Sequence, residues 1–357
     1  MLFFTLPKWA KQHKIILQII ILVETLMATI RVDLDTIQTT TAKALEAHGA
    51  KPWVANSVAH AVRVAEAYDN KICGLFYLQS YCNQLEVGRV KGDVEPEVHQ
   101  PKPASVVVDA KLGFAQAAFS RGLGTALLAA KTNGVATLAI CHSHTCTSMG
   151  YFTEQIARAG YIAIGMTNAK SCVSPPGGTK AVLGTNPIAM SVPDGKGGLA
   201  MQFDQSTSAI ALGKINMAAT AGEQIPFGWG VDSEGQATQD PNAVLHGGSL
   251  VSAGGYKGYG FGLMAEILAA AFTGGSTSTQ LDPLKATEGK PHDLGQCYII
   301  IDPTNVAGDL FWDKLSTISE AVTSQPGARL PGSKKVLPNA VELDTEVWNS
   351  AVRLAGA

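Results

Sequence analysis

The chain predicts a mixed α/β fold. Stretches with apolar residues at helical spacing alternate with short runs of Val, Ile and Ala bounded by turns, and no internal repeat or low-complexity tract interrupts them. With 357 residues, 46% hydrophobic and 16% charged, it is long enough for two or three domains sharing a sizeable core. Its 37 glycines gather in the middle and C-terminal thirds, marking tight turns and close backbone approaches.

The elements follow in order. Leu34, Ile37, Ala42, Ala44 and Leu45 predict a first helix from Asp33, which His48-Gly49 ends. Lys51-Pro52 separates it from a second helix over Trp53 to Tyr68, and a third spans Leu75 to Leu85. Val106–Asp109 reads as a strand, Gly113–Thr132 as a long helix, Val135–Ile140 as a strand, Gly150–Ala159 as a helix and Tyr161–Thr167 as a strand. Ser174-Pro175-Pro176-Gly177-Gly178, Asn186-Pro187 and Pro193-Asp194-Gly195 are turns. A short strand over Leu199–Asp204 precedes helices at Gly213–Ala221 and Gly258–Phe272, the latter stopped by Gly274-Gly275. Cys297–Asp302 is a strand and Asp309–Ser324 a helix.

Before all of this stand Lys8, Lys11 and Lys14, then an apolar run from Ile15 to Val23 closed by Glu24. A secretory leader has this order, but no small-residue cleavage site follows. About nine residues are also too few to span a bilayer. Residues 1–26 are therefore read as an upstream extension from a misassigned start, outside the fold.

A net charge of −2 gives no reason to expect nucleic acid or a membrane as partner. Cys73, Cys82, Cys141, Cys146, Cys172 and Cys297 form no CxxC pair, which points to reduced thiols and a cytoplasmic location.

Neither glycine cluster is a Rossmann fingerprint. Gly122-Leu123-Gly124 lies inside a helix, and Gly258-Tyr259-Gly260-Phe261-Gly262 follows a loop, with no acidic residue at the required distance. The segment Cys141-His142-Ser143-His144-Thr145-Cys146 has metal-ligand types. Alternation along an extended chain sends neighbours to opposite faces, so no metal is expected. A buried turn and a catalytic or cofactor loop at the carboxyl end of a strand remain open for it.

Four blocks in order change the picture. Leu183-Gly184-Thr185-Asn186-Pro187-Ile188-Ala189 is followed by Phe203-Asp204-Gln205-Ser206-Thr207-Ser208, then Gly213-Lys214, then Gly254-Gly255-Tyr256-Lys257-Gly258-Tyr259-Gly260. With Arg329-Leu330-Pro331-Gly332 near the C-terminus, the chain resembles the type-2 malate/L-lactate dehydrogenase family from Ala28 to Leu337. That family includes ureidoglycolate and sulfolactate dehydrogenases and the reductases of Δ1-piperideine- and Δ1-pyrroline-2-carboxylate. The resemblance implies a non-Rossmann NAD(P)-binding domain with a mainly antiparallel sheet, packed beside a helical domain built from both chain ends, in a homodimer. The corresponding segments are 27–112, 113–300 for the nucleotide domain, and 301–357 returning to the first.

Carried over by position, the resemblance places Thr145, Cys146, Thr147, Ser148 and Met149 along the cofactor. Asp204, Gln205 and Ser206 match a nucleotide contact that reads Asp-Met-Ala in relatives. Tyr256 and Lys257 match cofactor contacts, and Ser171 a substrate or cofactor contact. Arg329, Gly332 and Lys334 belong to the tail that closes over the nucleotide. Lys257 at a helix N-terminus suits an anion, with a solvated surface lysine as the alternative. Asp204 suits ribose hydroxyls or a helix cap. Arg329, Lys334 and Lys335 suit a 2′-phosphate, which tilts NAD or NADP towards NADPH, or form a plain basic tail.

The substrate end departs from the family. Relatives carry Ser-His-Gly-Leu-Phe-Arg, whose histidine donates the proton in the imine reductases and whose arginine holds the substrate carboxylate; here Ile72-Cys73-Gly74-Leu75-Phe76-Tyr77 stands there. Cys73 is one candidate donor, with an ordinary thiol pKa near 8.5. Tyr77 is left to hydrogen-bond the carboxylate. The second candidate donor is His144, one residue before the matched position Thr145, with His142 in reserve. Lys214 stands where dehydrogenase relatives have lysine and imine reductases an acid. The expectation is hydride transfer between nicotinamide and a small 2-oxo or 2-hydroxy acid. The alternatives are reduction of a cyclic ketimine, and a nucleotide-binding relative with little turnover.

Overall fold

The computed structural model describes residues 29–333 and 335–356. The extension expected over residues 1–26 and the candidate cofactor contact Lys334 lie outside the described residues.

Strand β1 (Thr29–Asp33) leads into α1 (Leu34–Ala47) and α2 (Pro52–Ala67). Helix α1 buries Leu34, Ile37, Thr41, Ala44 and Leu45, three or four residues apart, and ends where Gly49 takes a φ of 103°. Lys51 is extended, so Pro52 opens α2 at a position whose N–H has no helical partner. The helix expected from Leu75 starts later. Residues Lys71–Cys73 and Leu75–Tyr77 are 3-10 turns, and α3 runs over Leu78–Glu86. Gly74 leaves the helical region, with φ −93° and ψ −140°, and the carboxylate of Glu66, nine residues back, accepts the Leu75 N–H at 2.6 Å, capping a new start.

Next come β2 (Glu97–Lys102), β3 (Ser105–Asp109), α4 (Ala115–Asn133), β4 (Val135–Ser143), α5 (Gly150–Arg158) and β5 (Ile162–Thr167). Strands β6 (Ile188–Pro193) and β7 (Leu199–Gln205) precede α6 (Leu212–Ala221), β8 (Gly230–Val231), α7 (Pro241–Leu245) and β9 (Ser249–Leu250). Helix α8 (Tyr256–Glu266) continues through a π turn at Ile267–Ala271. The chain closes with β10 (Leu294–Ile301), α9 (Thr304–Ala307), α10 (Leu310–Thr323), β11 (Ala340–Asp344) and α11 (Thr345–Leu354).

The main sheet has the order β2-β3-β4-β10-β5-β6-β7. Every neighbouring pair is antiparallel except β3 with β4. Strand β10, late in sequence, is inserted between β4 and β5, with Tyr298 opposite both Leu138 and Gly165. Tyr298 meets Phe119 and Phe152 at ring distances of 5.2 and 5.8 Å, binding α4 and α5 to the sheet. Burying each such ring contributes about 1.5–3 kcal/mol. Strand β2 is exposed along its length and carries no apolar alternation to predict it. Strand β6 sits between two proline-containing turns that conceal it.

A second core gathers the N-terminal helices with Phe114, Leu343 and Ala351. Antiparallel pairing of β1 with β11, Thr29 opposite Asp344, brings the C-terminal segment back onto them. A third, smaller cluster joins Val173, Leu183, Ile215, Ile225, Val244 and Leu250. Among the described residues no helix is long and apolar enough to cross a membrane.

Candidate functional site

A cleft of about 230 Å³ opens between α2, the loop after β4, the end of β7 and the segment around Gly332. Cys73, Cys146, Thr147, Ser148, Asp204, Gly332 and Lys335 all line it. Asp204 is its anchor. The carboxylate accepts the Gly150 N–H at 2.8 Å and the Ser148 hydroxyl at 3.0 Å, at the N-terminus of α5. A Cβ at Gly150 would meet the Asp204 side chain at 3.1 Å, so the helix start and the carboxylate are closely packed. Desolvation raises the Asp204 pKa, while these two donors and the Lys335 charge act against it.

Opposite lies a second charged group. The Lys335 ammonium is 4.4 Å above the Tyr68 ring and donates to the Gln202 side-chain oxygen. Gln202 is itself fixed by donating to the Gly150 carbonyl and the Ser191 hydroxyl, each at 2.8 Å. Burial lowers the Lys335 pKa, opposed by Glu154 and Asp204. The Tyr68 hydroxyl donates to Glu154 at 2.7 Å, and Arg158 meets the same oxygen at 2.8 Å. Gly332, with a φ of 76°, lies on the Gln202 backbone, where a Cβ would stand 2.8 Å from the carbonyl oxygen. A carboxylate that accepts hydroxyls and a cation on the same cleft suit a dinucleotide's ribose and phosphate groups.

The Ile72–Tyr77 turn forms the other wall. Cys73 faces the cleft, and burial, reinforced by the Asp204 charge, pushes its thiol up to about 12. Asn70, Thr147 and Lys285 pull weakly the other way. Tyr77 is turned inward, its ring 4.9 Å from that of Tyr81, and burial raises its pKa. Ile72 and Phe76 instead face a groove of about 890 Å³ shared with Met217, Val347 and Lys285.

His144 is not on the cleft. Only 1% exposed, it stacks on His292 at 4.0 Å and lies against Phe114 and Tyr81. Neither ring nitrogen has a hydrogen-bond partner among the described residues. Burial drives its pKa well below 6.5, and His292 adds to this. Met149 is likewise in the sheet core, against Gly165. Thr145 donates its N–H to His292 at 3.3 Å.

The remaining candidates are dispersed. Gln205 is exposed, and Ser206 donates to the Ser208 carbonyl at 3.2 Å. Ser171 bonds through its N–H to Ser278 in a separate loop. Lys214, Tyr256, Lys257 and Arg329 are exposed and do not line the cleft. Cys141 and His142 converge, contrary to the alternation expected of an extended segment. His142 has a φ of 52°, which breaks the alternation, and one ligand atom each from Asp109, Cys141 and His142 lie within 4.8 Å of one another. His142 also bonds Asp293 at 2.8 Å, outside the cleft.

Tyr68, Glu154, Gln202, Arg89 and Lys285 went unnoticed in the sequence. Each matters through partners far away in the chain, and no local motif announces them.

A model of the malate/L-lactate dehydrogenase family matches residues 32–349. Over 306 residues the chain is 35% identical to the Δ1-pyrroline-2-carboxylate/Δ1-piperideine-2-carboxylate reductase of Pseudomonas putida, spanning 86% of this chain and 89% of that one. It is also 35% identical over 304 residues to the (2R)-3-sulfolactate dehydrogenase (NADP(+)) of Chromohalobacter salexigens, spanning 85% and 90%. Among solved structures, the Δ1-piperideine-2-carboxylate reductase of Pseudomonas syringae pvar. tomato superposes with a TM-score of 0.85 at 32% identity, over 91% of this chain and 99% of that one.

Proposed function

We propose, for a chain that belongs to the malate/L-lactate dehydrogenase family, NAD(P)-dependent reduction of a small cyclic 2-imino acid at its C=N bond. The observation that carries this choice is the likeness to relatives named as imine reductases over 86–91% of the chain, and the cleft, which no imidazole lines among the described residues, suits a substrate already protonated at nitrogen. A bound nicotinamide supplies the hydride. A protonated cyclic imine accepts it at carbon and becomes the amine, with no proton transferred in that step. A ketone becomes an alkoxide and needs a donor at hand. Cys73, protonated throughout the neutral range, disturbs neither the cation nor the hydride acceptor. The relatives named above as imine reductases support the same order, which reverses the tilt that Lys214 gave.

In this proposal Asp204 takes ribose hydroxyls and Lys335 a phosphate, which favours NADPH without a glycine fingerprint. Thr147 and Ser148 line the path between them. The protein works as a cytoplasmic homodimer.

A second reading, reduction of a 2-oxo acid, has one observation in its favour: the Cys73 thiol lies on the cleft and can protonate an alkoxide. NADPH and NADH consumption should be followed with Δ1-pyrroline-2-carboxylate, Δ1-piperideine-2-carboxylate, pyruvate, oxaloacetate and 3-sulfopyruvate. The imines with NADPH are expected to be fastest. Turnover of the oxo acids alone overturns the proposal, and cofactor binding without turnover on the panel supports the nucleotide-binding alternative.

A further inference from the structure

The loop from Asp282 to Lys290 carries no motif, yet it is tied down at several points. The Asp282 carboxylate accepts the Lys290 N–H at 2.8 Å and closes the loop across its base. Beneath it, the Arg89 side chain, 3% exposed, donates to the carbonyls of Pro283 at 3.1 Å, Ala286 at 2.5 Å and Lys290 at 2.9 Å. The Gln84 amide reaches the same Ala286 carbonyl at 2.5 Å. Carbonyls on both sides of Lys285 are therefore pinned, and a buried charge is satisfied by doing it.

What the clamp presents is a cation. The Lys285 ammonium lies 4.8 Å from the Phe76 ring centroid and 4.9 Å from that of Tyr77. Among the described residues no carboxylate forms an ion pair with it. The acids of the same groove are already committed. Glu66 holds the Leu75 N–H at 2.6 Å, and Asp344 caps α11 through the Glu346 and Val347 N–H groups at 2.8 and 3.1 Å. Burial lowers the Lys285 pKa, while the neighbouring Cys73 acts to raise it. Lys285 is exposed on the groove beside the cleft-lining Cys73; held over two rings by a clamped loop and with no carboxylate paired to it, its ammonium is free to take an anion from outside the chain.

We infer that Lys285 receives the carboxylate of the substrate, restoring from a distant loop the charge missing where Tyr77 replaces the family's arginine. Tyr77 supports the ammonium through its ring face, and Arg89 is a positioning residue that aims the loop. The inference rests on the proposed function, since it assumes a substrate bearing a carboxylate next to the reduced carbon.

The test compares the wild type with Lys285→Met, Lys285→Arg and Lys214→Met. Δ1-Pyrroline-2-carboxylate serves as substrate, with pyrrole-2-carboxylate and pyrrole-2-carboxamide as inhibitors. The wild type should bind the acid at least about tenfold more tightly than the amide. Lys285→Met should raise KM about 10- to 100-fold, leave kcat within about threefold and abolish the preference for the acid. Lys285→Arg should recover most of the affinity, and a loss of fold in the Met variant would show as a lowered unfolding midpoint that the Arg variant lacks. Unchanged KM and acid preference in Lys285→Met overturns the inference, as does loss of that preference in Lys214→Met alone. An active wild type with a silent Lys285→Met sinks this inference only. A wild type that turns over no imino or oxo acid sinks the functional reading and the inference with it.

Discussion

The two walls of the site differ in how their polar groups are partnered. On the cleft side each charged group has partners: Asp204 accepts from Gly150 and Ser148, Glu154 accepts from Tyr68 and Arg158, and Lys335 donates to Gln202 above the Tyr68 ring, although burial still shifts Asp204 and Lys335 towards their neutral forms. On the substrate side, titratable groups are kept neutral by burial: Cys73, Tyr77, His144 and His292 all shift towards their uncharged forms. Preformed donors and acceptors suit a polar ligand that always presents the same groups. Among these neutral groups one exposed cation stands without a carboxylate partner among the described residues. Lys285 is that cation.

This contrast gives three tests, the first with the largest expected effect. His144 and His292 are stacked and buried, with pKa values below 6.5, the latter at about 4. The unfolded chain then binds more protons than the native one between those values, so native stability is present above pH 6.5 and is lost as pH falls towards 4. The slope is about 1.4 kcal/mol per pH unit for each histidine, or about 3 kcal/mol in all for His292. Urea unfolding across pH 4–8 measures it. A His144→Phe variant should flatten the decline, and a flat wild-type profile would break the claim that burial keeps this wall neutral.

The second test strikes the other wall. Asp204→Ala removes the acceptor of two hydrogen bonds and the proposed ribose partner, and should weaken NADPH binding about 10- to 100-fold. Fluorescence titration reads this directly. Binding within about twofold of the wild type would mean that the cleft is not the nucleotide site.

The smallest effect is expected at Cys73. With its thiol at about 12, roughly one molecule in ten thousand is thiolate at pH 8. Alkylation by iodoacetamide should therefore be far slower than that of a free thiol. Cys73→Ser should change imine reduction by less than about threefold. A fall of tenfold or more on a 2-oxo acid, with imine turnover intact, would assign the thiol as that reaction's proton donor.

Much of the fold was legible because its helices and strands are locally consistent. Buried Leu34, Ile37, Thr41, Ala44 and Leu45 recur at helical spacing, and Val106 and Val108 alternate with less buried neighbours. The polar edge strand β2 was not legible, since neither face of it enters a core. Nor was the start of α3 only at Leu78, after a 3-10 turn whose Leu75 N–H is held by a carboxylate nine residues away. On the cleft, Asp204 and the Cys146–Ser148 loop, both legible as cofactor candidates in the sequence, lie together. His144, an equally legible candidate, faces the core.

By itself, then, the sequence determined the element pattern, the family and the loss of Ser, His and Arg around Gly74, because these are local or ordered along the chain. Only the tertiary structure decided which side chains share a space. It withdrew His144 into an aromatic stack, brought Lys335 over Tyr68, and placed Lys285 on Tyr77 across more than half the chain. Burial and long-range hydrogen bonds make those choices, and residue type and spacing do not encode them individually.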